Sequence, residues 1–86
     1  MNPMQQKPIK VALADDHILL RHALATLIDQ SGNCKVILQA SNGKELIKAL
    51  TQDNQPDVII LDMNMPEMDG RETAIWLQEN FPKIRV

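Results

Sequence analysis

Tyrosine is absent from this chain and phenylalanine and tryptophan occur once each, so there is no aromatic platform on which nucleobases stack. There is no basic excess either: nine lysines and arginines stand against eleven acids, a formal net charge of -2. Without a positive field, these residues are not expected to bind DNA or a membrane surface by themselves. The one cysteine, Cys34, cannot close an internal disulfide and has no neighbours at metal-ligand spacing, which points to a reducing, cytoplasmic setting. No glycine-rich loop of Walker or dinucleotide type occurs among the three glycines, which disfavours nucleotide binding. Residues 1–8 carry Pro3, Gln5, Gln6 and Pro8 without an apolar run, and read as a flexible polar lead-in rather than a signal peptide or anchor.

What is present is aliphatic. With 44% hydrophobic residues in a length of 86, one thin-cored domain is expected and two are excluded. Ile9 to Ala14 is a strand that stops at Asp15-Asp16. From His17 the period changes: Leu20, Ala23, Leu24, Leu27 and Ile28 share one helical face, Arg21, Thr26 and Asp29 lie elsewhere, and Ser31-Gly32 ends the helix. Cys34 to Ala40 is a second strand. Asn42 and Glu45 then have capping-box spacing for a helix that runs to about Thr51 and buries Leu46, Ala49 and Leu50.

Val58-Ile59-Ile60-Leu61 shows no polar alternation, the pattern of a parallel strand covered on both faces. It runs into Asp62 and a turn-rich loop ending at Gly70. A third helix takes Arg71 to Asn80, Phe81-Pro82 breaks it, and Lys83 to Val86 starts a fourth strand. Ile75, Trp76 and Leu77 read as packing of that helix, with Trp76 the candidate to face outward. His17 and His22 read as solvated polar residues, and Lys44, Lys48 and Lys83 as surface charge.

Alternating strands and helices make an α/β fold with a doubly wound parallel sheet. Right-handed crossovers and a strand order of 2-1-3-4 place helix one on one face and helices two and three on the other. Asp15, Asp16 and Asp62 then meet at the crevice where the order reverses. Each acid alone has an ordinary explanation, as a helix cap or a turn former. Together they repel one another, and a cation is the natural reason to keep them. Hard oxygen ligands with room for water suit Mg2+. A carboxylate beside a divalent cation further suggests a nucleophile toward phosphorus, and Asp62 is best placed for it. A calcium-binding EF-hand loop starting at Asp62 fails, because Pro66 and Glu67 occupy the positions that need an oxygen ligand and a glycine.

The two segments Val11-Ala12-Leu13-Ala14-Asp15-Asp16-His17 and Leu61-Asp62-Met63-Asn64-Met65-Pro66-Glu67-Met68-Asp69-Gly70 resemble the receiver domain of bacterial two-component response regulators. The arginine-containing first helix is similar to the branch that carries a C-terminal helix-turn-helix DNA-binding domain. The resemblance implies a flavodoxin-like receiver fold of strand order 2-1-3-4-5, and a phosphoryl group accepted on Asp62 from a sensor histidine kinase or a small phosphodonor. It implies Mg2+ held by Asp15, Asp16, Asp62 and the backbone carbonyl of Asn64. Met63 and Asn64 would flank the phosphoryl site, and Pro66 and Gly70 would shape the loop into helix three.

Against that pattern, residues 9–86 form a partial receiver domain, truncated within strand four and lacking helix four, strand five and helix five. The Ser or Thr of strand four and the Lys of strand five that contact the phosphoryl group in the family are absent with them. An exposed sheet edge and uncovered apolar faces are expected, with a homodimer or element-swapped oligomer as a consequence. DNA would be reached only through an output domain, and no membrane partner is implied. Two other readings compete: a receiver-fold interaction module no longer competent for phosphorylation, and a haloacid-dehalogenase-like phosphatase. The phosphatase reading is disfavoured, since Asn64 stands where its second Asp belongs.

Overall fold

β1 (Ile9–Ala14) is buried on both sides from Val11 onward, which makes it the central strand. This computed structural model describes residues 7–86, so of the lead-in only Lys7 and Pro8 fall among them. β2 (Cys34–Ala40) and β3 (Val58–Leu61) pair with β1 on either side, both in parallel, in the order β2-β1-β3. The reversal of order beside β1 is the doubly wound arrangement.

Period-2 alternation sorts the core into two layers. Ala12, Ala14 and Ile59 face α2 (Gly43–Ala49) and α3 (Gly70–Asn80), where Leu46, Leu50, Met65, Leu77 and Ile84 complete a buried cluster. Val11 and Leu13 face the other way, against Ala25 and Ile28 of α1 (Ile18–Gln30) and Cys34 and Val36 of β2. Small alanines on β1 let the helices approach the sheet closely. Trp76 and Phe81 pack tilted against one another, 5.9 Å between ring centroids, at the margin of the larger cluster.

Several expectations are corrected. The leucines of α1 do not face the sheet: Leu20, Leu24 and Leu27 are exposed, as is Ala23, while Arg21 and Ala25 are buried. Ile60 is 47% exposed, so β3 is covered on one face only among the described residues. Ile60 and the leucines border an open groove between α1 and β3. α2 ends at Ala49, which is exposed, and of Ile75, Trp76 and Leu77 in α3 it is Ile75 rather than Trp76 that faces solvent. Lys83 to Val86 runs beside β3 in parallel, as the start of a fourth strand in the expected order would, and makes one bridge there, Val58 with Arg85. Pro82 and Lys83 form a turn, and Ile84 drops into the core.

The burial of Arg21 has a polar cause. Its Nη1 donates to Asp15 O at 2.7 Å, Ala40 O at 3.2 Å and Ser41 Oγ at 3.1 Å, and its Nε donates to Gln39 Oε1 at 3.2 Å. One guanidinium thus ties the end of β1 to the end of β2. The aliphatic stem fills the space beneath α1. Replacing Arg21 by Met keeps the stem and removes the donor to Asp15 O and the second donor to Ala40 O, so unfolding free energy is expected to fall by about 2–3 kcal/mol. Urea denaturation followed by circular dichroism checks this, and an unchanged midpoint would refute the tie.

Candidate functional site

Asp15 and Asp62 continue the two paired strands by one residue each. Ala14 pairs with Leu61 in the β1–β3 register, and the N–H of Asp62 donates to Ala14 O at 2.9 Å. Asp15 N–H likewise donates to Ala40 O at 3.0 Å. The backbone therefore holds both residues as firmly as strand positions, at the carboxyl edge where open parallel sheets present their ligand sites.

Ligand atoms from Asp15, Asp16, His17 and Asp62 all lie within 4.8 Å of one another. His17 stands in the middle: its Nδ1 is 2.9 Å from Asp15 Oδ1, 3.2 Å from Asp16 Oδ1 and 3.8 Å from Asp62 Oδ2. Asp15 Oδ1 also accepts the His17 backbone N–H at 2.8 Å, closing the turn that leads into α1. The His17 side chain is 67% exposed, so the cluster opens to solvent on that side. Sequence reasoning placed the three acids together but left His17 out. The signal was its adjacency to Asp16 in a turn that folds back on Asp15.

The other residues singled out lie on the loop after β3. Asn64 N–H donates to Asp62 Oδ1 at 3.1 Å, which leaves Asp62 Oδ2 turned toward His17. Met63 is exposed beside it, and Pro66 lies exposed farther along, accepting the N–H of Met68 at 2.8 Å. Gly70 is buried against the strand end: a Cβ there would come within 2.5 Å of Asp62 O and 2.8 Å of Met63 Cα, both backbone positions. Only glycine fits. The loop is pinned to α2 by Gly43 N–H to Met68 O at 3.1 Å and by the Lys44–Glu67 ion pair at 3.5 Å. Glu67 takes a left-handed φ of 68°, and Asp69 caps α3 by accepting Glu72 N–H at 2.9 Å.

Three carboxylates and an imidazole suit a divalent cation better than any neutral ligand. The acids supply hard oxygens, and Asp16 and His17 face water, so part of the shell is free for solvent. An octahedral Mg2+ with bonds of about 2.1 Å accepts donors up to about 4.2 Å apart, so small side-chain rotations close the set. The donor set fits the ion.

Residues 11–86 match the family described as the response regulator receiver domain. The nitrate/nitrite response regulator protein NarL of Escherichia coli (strain K12) is 42% identical over 81 residues, covering 94% of this chain and 37% of that protein. The transcriptional regulatory protein YdfI of Bacillus subtilis (strain 168) is 37% identical over 70 residues, 81% of this chain and 32% of that protein. The chain thus spans about a third of the length of these curated relatives. Among solved structures, the response regulator domain of Thermotoga maritima CheB superposes with a TM-score of 0.81 at 30% identity, over 90% of this chain and 57% of that one.

The charges of the site act on one another. The Asp15 hydrogen bond, then the charges of Asp16 and Asp15, and last that of Asp62, raise the His17 ring above its ordinary 6.5, against a small opposing effect of desolvation. Burial pushes the Asp15 carboxyl up, yet the backbone N–H and ring of His17 and a hydrogen bond shared with Asp62 outweigh it, so Asp15 titrates below its ordinary 3.8. Protonated His17 therefore contributes stability that is complete below its unfolded value and is lost as pH rises through its raised folded value. Ionised Asp15 contributes stability present above its unfolded value and lost as pH falls through its lowered one. In metal-free buffer, an NMR titration of the His17 ring should give a midpoint above 6.5. Asp15→Asn should lower that midpoint more than Asp62→Asn, and the reverse order would contradict Asp15 as the principal partner.

Proposed function

Because the chain belongs to the response regulator receiver domain family, we propose that it is a phosphoacceptor module of two-component signalling in which Asp62 takes the phosphoryl group. The observation that carries this reading is the carboxylate of Asp62 at the end of β3, with Asp15 and Asp16 one strand away and all three within 4.8 Å. A carboxylate oxygen of Asp62 attacks the phosphorus of a phosphohistidine on a sensor histidine kinase. The P–N bond breaks, the leaving imidazole takes up a proton, and Asp62 carries an acyl phosphate.

Asp15, Asp16, Asp62 and the backbone carbonyl of Asn64 would hold Mg2+. Bound there, Mg2+ supplies positive charge that screens the acids from one another and from the phosphoryl oxygens. The Asn64 N–H orients Asp62 by occupying Oδ1, while Met63 and Asn64 flank the reacting oxygen. Pro66 and Gly70 hold the loop in place, and the pinning of that loop to α2 gives a route by which events at Asp62 reach the surface of the domain. In a longer protein of this family the readout would be a DNA-binding output domain, as the resemblance implies, and the setting the cytoplasm.

Incubation with Mg2+ and acetyl phosphate should add one phosphoryl group, read by intact-mass spectrometry. Asp62→Asn should abolish the addition, and Asp15→Asn, Asp16→Asn or chelation of Mg2+ should slow it at least about tenfold. A phosphate that persists on the Asp62→Asn chain would overturn the assignment.

A further inference from the structure

Gly43, the first residue of α2, meets both the loop after β3 and the first turn of α3. Its N–H donates to Met68 O at 3.1 Å, and the place of its missing Cβ is taken by Thr73 Oγ1. We propose that Gly43 is a positioning residue: together with Thr73 it fixes how the loop that carries Asn64 sits beside Asp62. The inference rests on the phosphoacceptor reading above and adds to it the contact that sets the loop.

The fit admits no side chain. A Cβ on Gly43 would overlap Thr73 Oγ1 and stand 2.9 Å from Met68 O and 3.1 Å from Met68 Cβ. Thr73 is fully buried and its hydroxyl donates to Asp69 O at 2.6 Å, so this β-branched side chain cannot rotate away without breaking that bond. Retreat of α2 would disturb a junction held several times over. Asn42 Oδ1 accepts Glu45 N–H at 2.9 Å, Glu45 Oε1 accepts Ser41 N–H at 3.1 Å, and Arg21 holds Ala40 O and Ser41 Oγ.

The loop is therefore the side that yields. Pro66 to Met68 is one tight turn, closed by Met68 N–H to Pro66 O at 2.8 Å around the left-handed Glu67, and it is displaced as a unit. Met65, the next residue back, is packed into the core, so the segment pivots there and Asn64 tilts against Asp62. The bond at stake is Asn64 N–H to Asp62 Oδ1, at 3.1 Å.

Amide signals in proton–nitrogen NMR spectra, and phosphorylation by acetyl phosphate with saturating Mg2+, test this on the 86-residue chain, with folding checked by circular dichroism. Gly43→Ala should move the Asn64 amide signal and slow phosphoryl addition at least about fivefold. Thr73→Ala, which opens the contact instead of crowding it, should also move the Asn64 signal, and it decides the matter if Gly43→Ala does not fold. The double variant Gly43→Ala/Thr73→Ala should bring both readouts back toward the parent, the coupling expected of groups in contact. Val11→Ala weakens the core on the other face of the sheet and separates positioning from lost stability: the Asn64 signal and the rate should stay as in the parent. An unmoved Asn64 signal in the folded single variants, or a Gly43→Ala rate equal to the parent's, overturns the proposal. If the parent chain takes up no phosphate while the Asn64 signal responds as described, the phosphoacceptor reading falls and the setting of the loop by Gly43 stands.

Discussion

The parallel pairing of β1 with β3 is the constraint on which the site depends. At its lower end the register is locked twice by one residue: Asp57 N–H donates to Lys10 O at 2.7 Å, and the Asp57 carboxylate accepts Lys10 N–H at 2.8 Å. From there the ladder runs Val11 with Val58 to Ala14 with Leu61, and the next step up on either strand is an acid. A slip of one residue would turn Ile59 out of the core and send Asp62 to the opposite sheet face. Burial of the aliphatic strand residues and juxtaposition of the carboxylates are consequences of the same alignment.

That alignment gathers like charges, and the surrounding chain answers with two nitrogen-bearing groups of different kinds. Arg21 is buried and speaks to the backbone, holding Asp15 O and Ala40 O from below. His17 is exposed and speaks to the carboxylates from above. Four residues apart, they share one face of the first turn of α1, so the helix is rotated to bring a charged edge to the top of the sheet. The leucines are left to the side, along the groove beside Ile60. An exposed leucine row on α1 is thus the geometric complement of a buried arginine.

The same rotation marks where the sequence was legible and where it was not. Strand and helix identities, the β2-β1-β3 order and the meeting of Asp15, Asp16 and Asp62 followed from apolar runs, turn residues and crossover handedness. The Asn42 cap was also readable from spacing: Asn42 Oδ1 accepts Glu45 N–H at 2.9 Å, although the answering Glu45 carboxylate reaches Ser41 N–H rather than Asn42. Periodicity grouped the α1 leucines on one face but gave no sign that Arg21 would be the buried residue, because the reward is polar: the carbonyls of Asp15 and Ala40 accept from one fork of donors. The unbroken apolar run of β3 read as covered on both faces, while the exposed Ile60 is the kind of uncovered apolar face expected of a partial receiver. His17 was set aside because a lone histidine carries no spacing signal, and its place among the acids arises from a turn two residues long.

The acids and the loop differ in what holds them, and this separates two properties of the site. Asp15 and Asp62 continue paired strands, so their electrostatic field is preorganised by the sheet and persists whatever the loop does. The segment from Met63 to Asp69 has no ladder of its own; it is held by Gly43, Lys44 and the Asp69 cap, and it passes through a left-handed residue at Glu67. Its hold includes an exposed ion pair, a weak restraint. A cation held by these acids would therefore depend on the strand register, whereas the geometry of the loop beside Asp62 depends on the more loosely tethered part. Because Gly70 packs its backbone directly on Asp62 O, the two parts meet at a contact too tight to stretch.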